Sequence, residues 1–222
     1  MLLVDCGKAF ENVKLEACIF LVRLGKIREN YRNTLYDGVG FNEMGLIPLF
    51  VKDVFDLLPN GLNKKSIEIG LKSIRTGQFL GKFVKNKRGE PFQQMLTKTG
   101  DYAVIGGKEI NKYGICGIKG WISKNIMRTE NGFISSKSLL VQNIVAHIKK
   151  PYPQIKIIAC IPDRDDCVIT DTINQLFITH DDISQKELWA LLNSKFICWF
   201  AYHFLYGLAI RTMHFDSVIT DR

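Results

Sequence analysis

The sequence predicts an α+β fold, with a mixed or antiparallel sheet framed by helices. Three observations lead there. β-Branched residues dominate two runs, Ser138 to Ile148 (SLLVQNIVAHI) and Ile155 to Ile161 (IKIIACI), and the Pro151 to Pro153 turn between them makes a hairpin. Apolar residues recur at helical spacing in two other places, from Leu46 to Leu58 and after Ile183. Strands and helices do not alternate as repeating βαβ units, and no period of roughly 20 to 50 residues recurs. With 46% hydrophobic and 23% charged residues the 222-residue chain has a globular composition, so disorder is excluded. Fourteen Phe, seven Tyr and three Trp, each able to bury roughly 150–250 Å², supply a sizeable core.

Taken in order, Leu2 to Val4 and Ala17 to Val22 read as two short strands joined through Gly7 and ending at Gly25. A lone pair of strands is marginal in water, so this piece either joins the following sheet or is the tail of a preceding domain. Leu46, Leu49, Phe50, Val54, Phe55 and Leu58 predict an amphipathic helix that Pro59-Asn60-Gly61 stops. The alternation of Ile67, Ile69 and Leu71 predicts a strand, and the Lys-, Gly- and Asn-rich stretch from Lys82 to Pro91 an exposed, mobile loop. Val168 to Thr170 and Leu176 to Thr179 extend the sheet. Asp181-Asp182-Ile183-Ser184 leads into a helix with Glu187 in its first turn, running to about Tyr206 with Gly207 as its stop.

Charge is distributed unevenly. Residues 1–25 balance, residues 26–150 hold 21 Lys and Arg against 10 Asp and Glu, and residues 151–222 hold 6 against 9. The basic middle is the electrostatic footprint of a surface for a polyanion, because each phosphate neutralised releases condensed counterions. Basic domains also bind anionic membranes or proteins, so charge alone leaves the partner open. The segments Arg75 to Phe79 and Lys108 to Tyr113 interleave glycine and aromatic residues with that charge, which favours close backbone approach to a ligand.

Other classes are disfavoured. The uncharged run Phe196 to Ile210 covers 15 residues where a membrane span needs about 20, and reads as a buried helix. Met1 to Phe10 lack the basic start of a signal peptide, and the six cysteines (Cys6, Cys18, Cys116, Cys160, Cys167, Cys198) form no Cys-x-x-Cys pair. The expectation is a cytoplasmic protein with buried free thiols and no membrane partner. Phosphate-loop and dinucleotide fingerprints are absent, and His147, His180, His203 and His214 show no metal-ligand spacing. His147 and His203, in apolar runs, read as core histidines. Asp163, Asp165, Asp166 and Asp171 could hold Mg²⁺ for phosphodiester cleavage, but no downstream Asp/Glu-x-Lys accompanies them, and a polar hairpin tip is the plainer reading.

Four stretches, in order, resemble the C-terminal half of the TaqI-like, Eco57I-like family of N6-adenine DNA methyltransferases and type II restriction-modification enzymes. Leu2 to Leu24 (LLVDCGKAFENVKLEACIFLVRL) resembles the closing strand pair of the family's catalytic domain. Gly107 to Gly114 (GKEINKYG) resembles the segment entering its specificity domain. Asp171-Thr172-Ile173-Asn174 with Leu191-Leu192-Asn193-Ser194-Lys195 resembles the paired signatures of that domain, and Arg211-Thr212-Met213-His214-Phe215 its terminal element. The resemblance implies a TaqI-like specificity domain over residues 26–222, preceded by a strand pair, residues 1–25, left from an α/β methyltransferase domain. It implies sequence-specific recognition of double-stranded DNA and a methyltransferase catalytic domain or subunit as partner. The parent enzyme of such a module uses S-adenosylmethionine. This chain has no Pro-Pro pair, hence no Asn/Asp-Pro-Pro-Tyr/Phe motif to hold a flipped adenine, so neither methyl transfer nor a cofactor is expected of it alone.

Candidate DNA contacts are Arg75, Lys108, Lys112, Tyr113, Lys119, Asn143, Lys195, Arg211 and His214, with phosphate contacts setting register and a few polar side chains reading base edges. Asp171 to Asn174 and Asn193-Ser194 are expected to tie turns and helix starts together. A Mg²⁺-dependent endonuclease fragment using the four aspartates is the alternative, and a remnant with an exposed former interface the third reading.

Overall fold

The computed structural model describes residues 1–12, 15–25, 29–126, 132–210 and 212–221. It is α+β, with several mixed and antiparallel sheets and short helices. The chain divides into two compact units, residues 1–78 with 199–211, and residues 79–198 with 212–222. No helix among the described residues is long and apolar enough to cross a membrane.

The first unit carries a four-stranded sheet in the order β2-β1-β3-β4. β1 (Leu2–Asp5) pairs antiparallel with β2 (Cys18–Leu21), as expected, and parallel with β3 (Asn30–Tyr36). A hairpin joins β3 to β4 (Phe41–Pro48). Its turn is built by Asp37, whose Oδ1 accepts from the Val39 and Gly40 amides at 3.0 and 2.9 Å; the Gly40 and Val39 bonds hold that carboxyl below the usual range. Tyr31 and Ile47, paired across β3 and β4, are fully buried.

Two expectations fail in this unit. Leu46 to Pro48 belong to β4, paired with Asn30 to Arg32, so only α1 (Val51–Phe55) of the predicted 46–58 helix forms, and Asp56 ends it in the left-handed region at φ 52°. Cross-strand pairing overrides the local helical period. Conversely, the alternating Ile67, Ile69 and Leu71 lie in α2 (Lys64–Thr76). Ile67, Leu71 and Ile74 fall on one helical face, Asn63 caps the start by accepting from the Ser66 amide at 2.9 Å, and Ile69 is left exposed. The wider helical period over 13 residues outweighs a three-point alternation.

α1, α2 and residues 199–208 enclose an aromatic core. The Phe55 ring stacks on Phe204 with centroids 4.4 Å apart, and Phe200 and Trp199 flank Phe204 at 5.2 and 5.7 Å. Gly70 of α2 is where the Phe204 ring lies: a Cβ there would stand 2.4 Å from Phe204 Cζ. Tyr31 donates its hydroxyl to the Pro59 carbonyl at 2.7 Å, and its burial raises the phenol pKa.

In the second unit β10 (Ser138–Gln142) lies between β13 (Ala159–Cys160) and β15 (Ile173–Ile178), with β5 (Val84–Arg88) on the far edge of β15. The stretch predicted as a mobile loop is thus a paired strand, with Val84 to Arg88 set against Ile178 to Asn174. Its backbone bonds to β15 are satisfied whatever its polar composition. The predicted run 138–148 is broken at Asn143. Its second half, β11 (Ile144–Ile148), pairs with β12 (Gln154–Lys156) across the expected proline turn, and with β16 (Met213–His214) on its other edge.

β14 (Cys167–Ile169) runs parallel to β6 (Tyr102–Ile105), which pairs antiparallel with β9 (Gly120–Ile122). Cys167 and Ile169 pack with Ala103 and Ile105 in one core cluster, while Val168 and Val104 pack in another with Phe92 and Ile122. Both faces of this pair are therefore covered, as continuous apolar strands require. All six cysteines are unpaired, but only Cys160 and Cys167 are buried, and burial raises their thiols to about 12 and about 11. Cys18 and Cys116 are exposed, contrary to expectation.

The helix predicted from 184 to about 206 is segmented into α3 (Gln185–Leu192), α4 (Lys195–Phe200) and a π-helical turn (Ala201–Leu205). Ser184 and Glu187 form a reciprocal capping box at its start, and Gly207, at φ 56°, follows its end. The division between the units falls within α4.

Candidate functional site

Three of the sequence stretches set apart above meet in the second unit around Asp171-Thr172-Ile173-Asn174. Thr172 accepts the Gly107 amide on its Oγ1 at 2.9 Å and the Asn143 amide on its carbonyl at 2.9 Å. The approach is tight: a Cβ at Gly107 would stand 3.1 Å from the Thr172 carbonyl oxygen, so the neighbour would have to give by a few tenths of an ångström. Gln142 Nε2 donates to the Gly107 carbonyl, and the Thr170 and Thr172 hydroxyls are 2.7 Å apart. On the opposite side of Asn143, its carbonyl accepts from the Phe215 amide at 2.7 Å, and the Phe215 carbonyl accepts from Asn174 Nδ2. The loop at 107, the turn at 171–174 and the strand end at 213–215 are thereby locked together.

The break at Asn143 has its physical cause here. Asn143 is 1% exposed, and its Nδ2 lies 3.3 Å from both the Asp171 carbonyl and His214 Nδ1. Buried amides need partners, and these lie off the strand ladder, so the chain leaves β10 at this residue. The Oδ1 atoms of Asn143 and Asn174 are buried without a hydrogen bond.

Asp171 also organises charge. Arg88, at the end of β5, donates Nε to the Asp171 carbonyl at 2.8 Å and Nη2 to its Oδ2 at 3.4 Å. Gln93 Nε2 donates to Asp171 Oδ1 at 3.1 Å, and Gln93 Oε1 accepts from Lys119 Nζ. Gly89 permits the approach of β5, since a Cβ there would stand 2.4 Å from the Thr170 carbonyl oxygen. At Gly106 an added Cβ would meet only side-chain atoms as its nearest neighbours, Glu109 Oε2 at 2.7 Å and Lys119 Cδ at 2.8 Å, both on flexible side chains.

A third piece is the two-stranded hairpin β7 (Ile110–Asn111) and β8 (Gly114–Ile115). Its tip is braced, with Asn111 Oδ1 accepting from the Tyr113 amide at 2.7 Å and the Lys112 carbonyl accepting from Trp189 Nε1 at 2.7 Å. Tyr113 is nonetheless 80% exposed, and the Lys112 ammonium sits 4.7 Å from its ring centroid.

The predicted contact residues separate into groups. Lys108, Lys112, Tyr113 and Lys119 are exposed on one segment, and His214 is exposed on β16 beside Asn143. Asn143 itself is buried, with its Nδ2 turned to the Asp171 carbonyl and His214. Lys195 is exposed in the first turn of α4, Arg75 is exposed in the last turn of α2 in the first unit, and Arg211 lies outside the described residues. Arg88, Gln93 and Gln142 were not singled out from sequence. For Arg88 the one signal is the alternation of Val84, Asn86 and Arg88 with lysines, hidden by a loop-like composition.

Asn193 bonds the Ala159 backbone at both ends, accepting from its amide at 3.3 Å and donating to its carbonyl at 2.9 Å, and Ser194 Oγ accepts from the Ile197 amide at 3.1 Å. This pair therefore ties α3 to β13 and starts α4. The aspartates of the alternative reading do not converge. Arg164 grips Asp166 at 2.6 and 2.7 Å and, with the other groups around it, holds its carboxyl to about 2, while Asp171 is engaged by Arg88 and Gln93. Among the described residues no group of three or more His, Cys, Asp or Glu could hold a metal ion. No protein-family model matches the chain, and no curated protein matches its sequence.

Proposed function

We propose that this chain is the sequence-specific DNA-recognition module of an adenine-specific DNA methyltransferase of a restriction-modification system. One observation carries the reading: three of the stretches on which the family resemblance rests, far apart in sequence, share a hydrogen-bonded junction through Gly107, Thr172, Asn174 and Phe215. Unconnected chance likenesses have no reason to meet in space. The basic residues Arg88, Lys108, Lys112 and Lys119 lie on the segments that this junction fixes, in the part of the sequence with the positive surplus.

On this reading the lysines and Arg88 face the phosphates of duplex DNA and set register, while Tyr113 and His214 present groups to base edges or sugars. Buried Asn143 and Asn174 hold those segments in place. Methyl transfer, with S-adenosylmethionine, belongs to a catalytic domain or subunit that this module serves. Hydrogen exchange with and without duplex DNA tests the assignment. Protection concentrated in residues 84–94, 106–120 and 212–216 is the expected result, and exchange unaltered by DNA would sink it.

A further inference from the structure

We infer that Arg88 and Lys119 form a phosphate-binding pair, set in position by Asp171 and Gln93. The inference rests on the DNA-binding reading and adds to it that two of its cations act as one pair held by two further side chains. The four side chains form a relay in which donors and acceptors alternate, from Arg88 through Asp171 and Gln93 to Lys119. One edge of the Arg88 guanidinium is committed, through Nε and Nη2, to Asp171. Its remaining N–H groups have no protein partner among the described residues, and its side chain is 55% exposed. An arginine held on one edge and open on the other loses little entropy when it takes up a phosphate.

Lys119 is held by a neutral acceptor, so its full charge remains available. Asp171 does not cancel the pair: both its oxygens are engaged, its side chain is only 29% exposed, and the relay keeps one net positive charge. The close approach of β5 points the same way: Gly89 leaves no room for a Cβ, which would stand 2.4 Å from the Thr170 carbonyl oxygen. A solvated surface lysine and arginine need no such construction.

The test is the salt dependence of duplex DNA binding, by fluorescence anisotropy on the whole chain, with each variant's melting temperature as a folding control. Removing one phosphate contact lowers the slope of log K against log[salt] by about 0.9. Arg88→Ala and Lys119→Ala should each lower the slope by about that amount and weaken binding about tenfold. Arg88→Lys should keep the slope but bind severalfold more weakly, because an ammonium cannot hold Asp171 and a phosphate through separate edges. Gln93→Leu, which changes no charge, should weaken binding and make Lys119→Ala nearly silent in the double variant. Lys186→Ala, exposed on α3, should match the wild type. If the wild type binds with a salt slope and both alanine variants retain it, the pair is wrong and the DNA reading stands. If the wild type itself shows no salt-dependent binding, both fall.

Discussion

Each of the two units is held together internally by a different chemistry. The centre of the first is a cluster of rings, Phe55, Trp199, Phe200 and Phe204 packed against Gly70. The second has apolar clusters too, but its connecting point is polar, with Ser138, Asn143, Thr170, Asn174 and Gln175 each 1% exposed or less. Apolar packing contributes most of the stabilisation because it scales with area, whereas a buried hydrogen bond contributes little net but costs much when broken. The ring cluster therefore supplies stability. The polar junction supplies geometry, because a hydrogen bond fixes direction as well as distance.

Substitutions sharpen this contrast. Phe204→Ala should have the largest effect, a loss of about 3–5 kcal/mol from the first unit. Chemical denaturation followed by the fluorescence of Trp199, which borders that ring, will read it. Gly70→Ala should also destabilise the unit in the presence of Phe204 and do so far less in its absence, since the three atoms nearest the added Cβ all belong to that ring. Asn174→Ala should cost about 1–3 kcal/mol, by leaving the buried Phe215 carbonyl without its donor. Its signature is faster amide exchange at Met213 to Phe215 while the Trp199 transition stays put.

A smaller effect is pH-dependent. His203 is half-buried in the first unit and bonded through Nδ1 to the Trp199 carbonyl at 2.7 Å, and its partial burial lowers its pKa below the ordinary value of about 6.5. The unfolded chain then takes up the proton first. The contribution of His203 is complete above about pH 6.5 and is lost as pH falls from there through the folded-state pKa. His203→Gln should flatten that part of the stability curve; an unchanged slope would locate the titration elsewhere.

The α+β class, the opening strand pair, the hairpin around Pro151 to Pro153 and the helix start after Ser184 were legible in the sequence because each depends on residues near one another. α2 and β5 were misread for a common reason. In α2 a three-residue alternation hid a longer helical face closed by Asn63, and in β5 a loop-like composition hid a strand defined by its partner β15. The site was legible in part. Lys108, Lys112, Tyr113 and Lys119 emerge exposed on one segment, whereas Arg88 and Gln93 acquire meaning only through Asp171, about 80 residues away, a link that composition and periodicity do not carry. Asn143 illustrates the converse, a polar residue in a strand that turned out to be a buried tie.

The central claim is that the basic segments fixed by the polar junction engage duplex DNA through its phosphates. Titrating the intact chain with duplex across a range of salt concentrations tests it most directly. The account predicts a straight line of log K against log[salt] with a slope of about −4 to −7, corresponding to about four to eight phosphates. Binding that is absent, or that does not weaken as salt is raised, would contradict it.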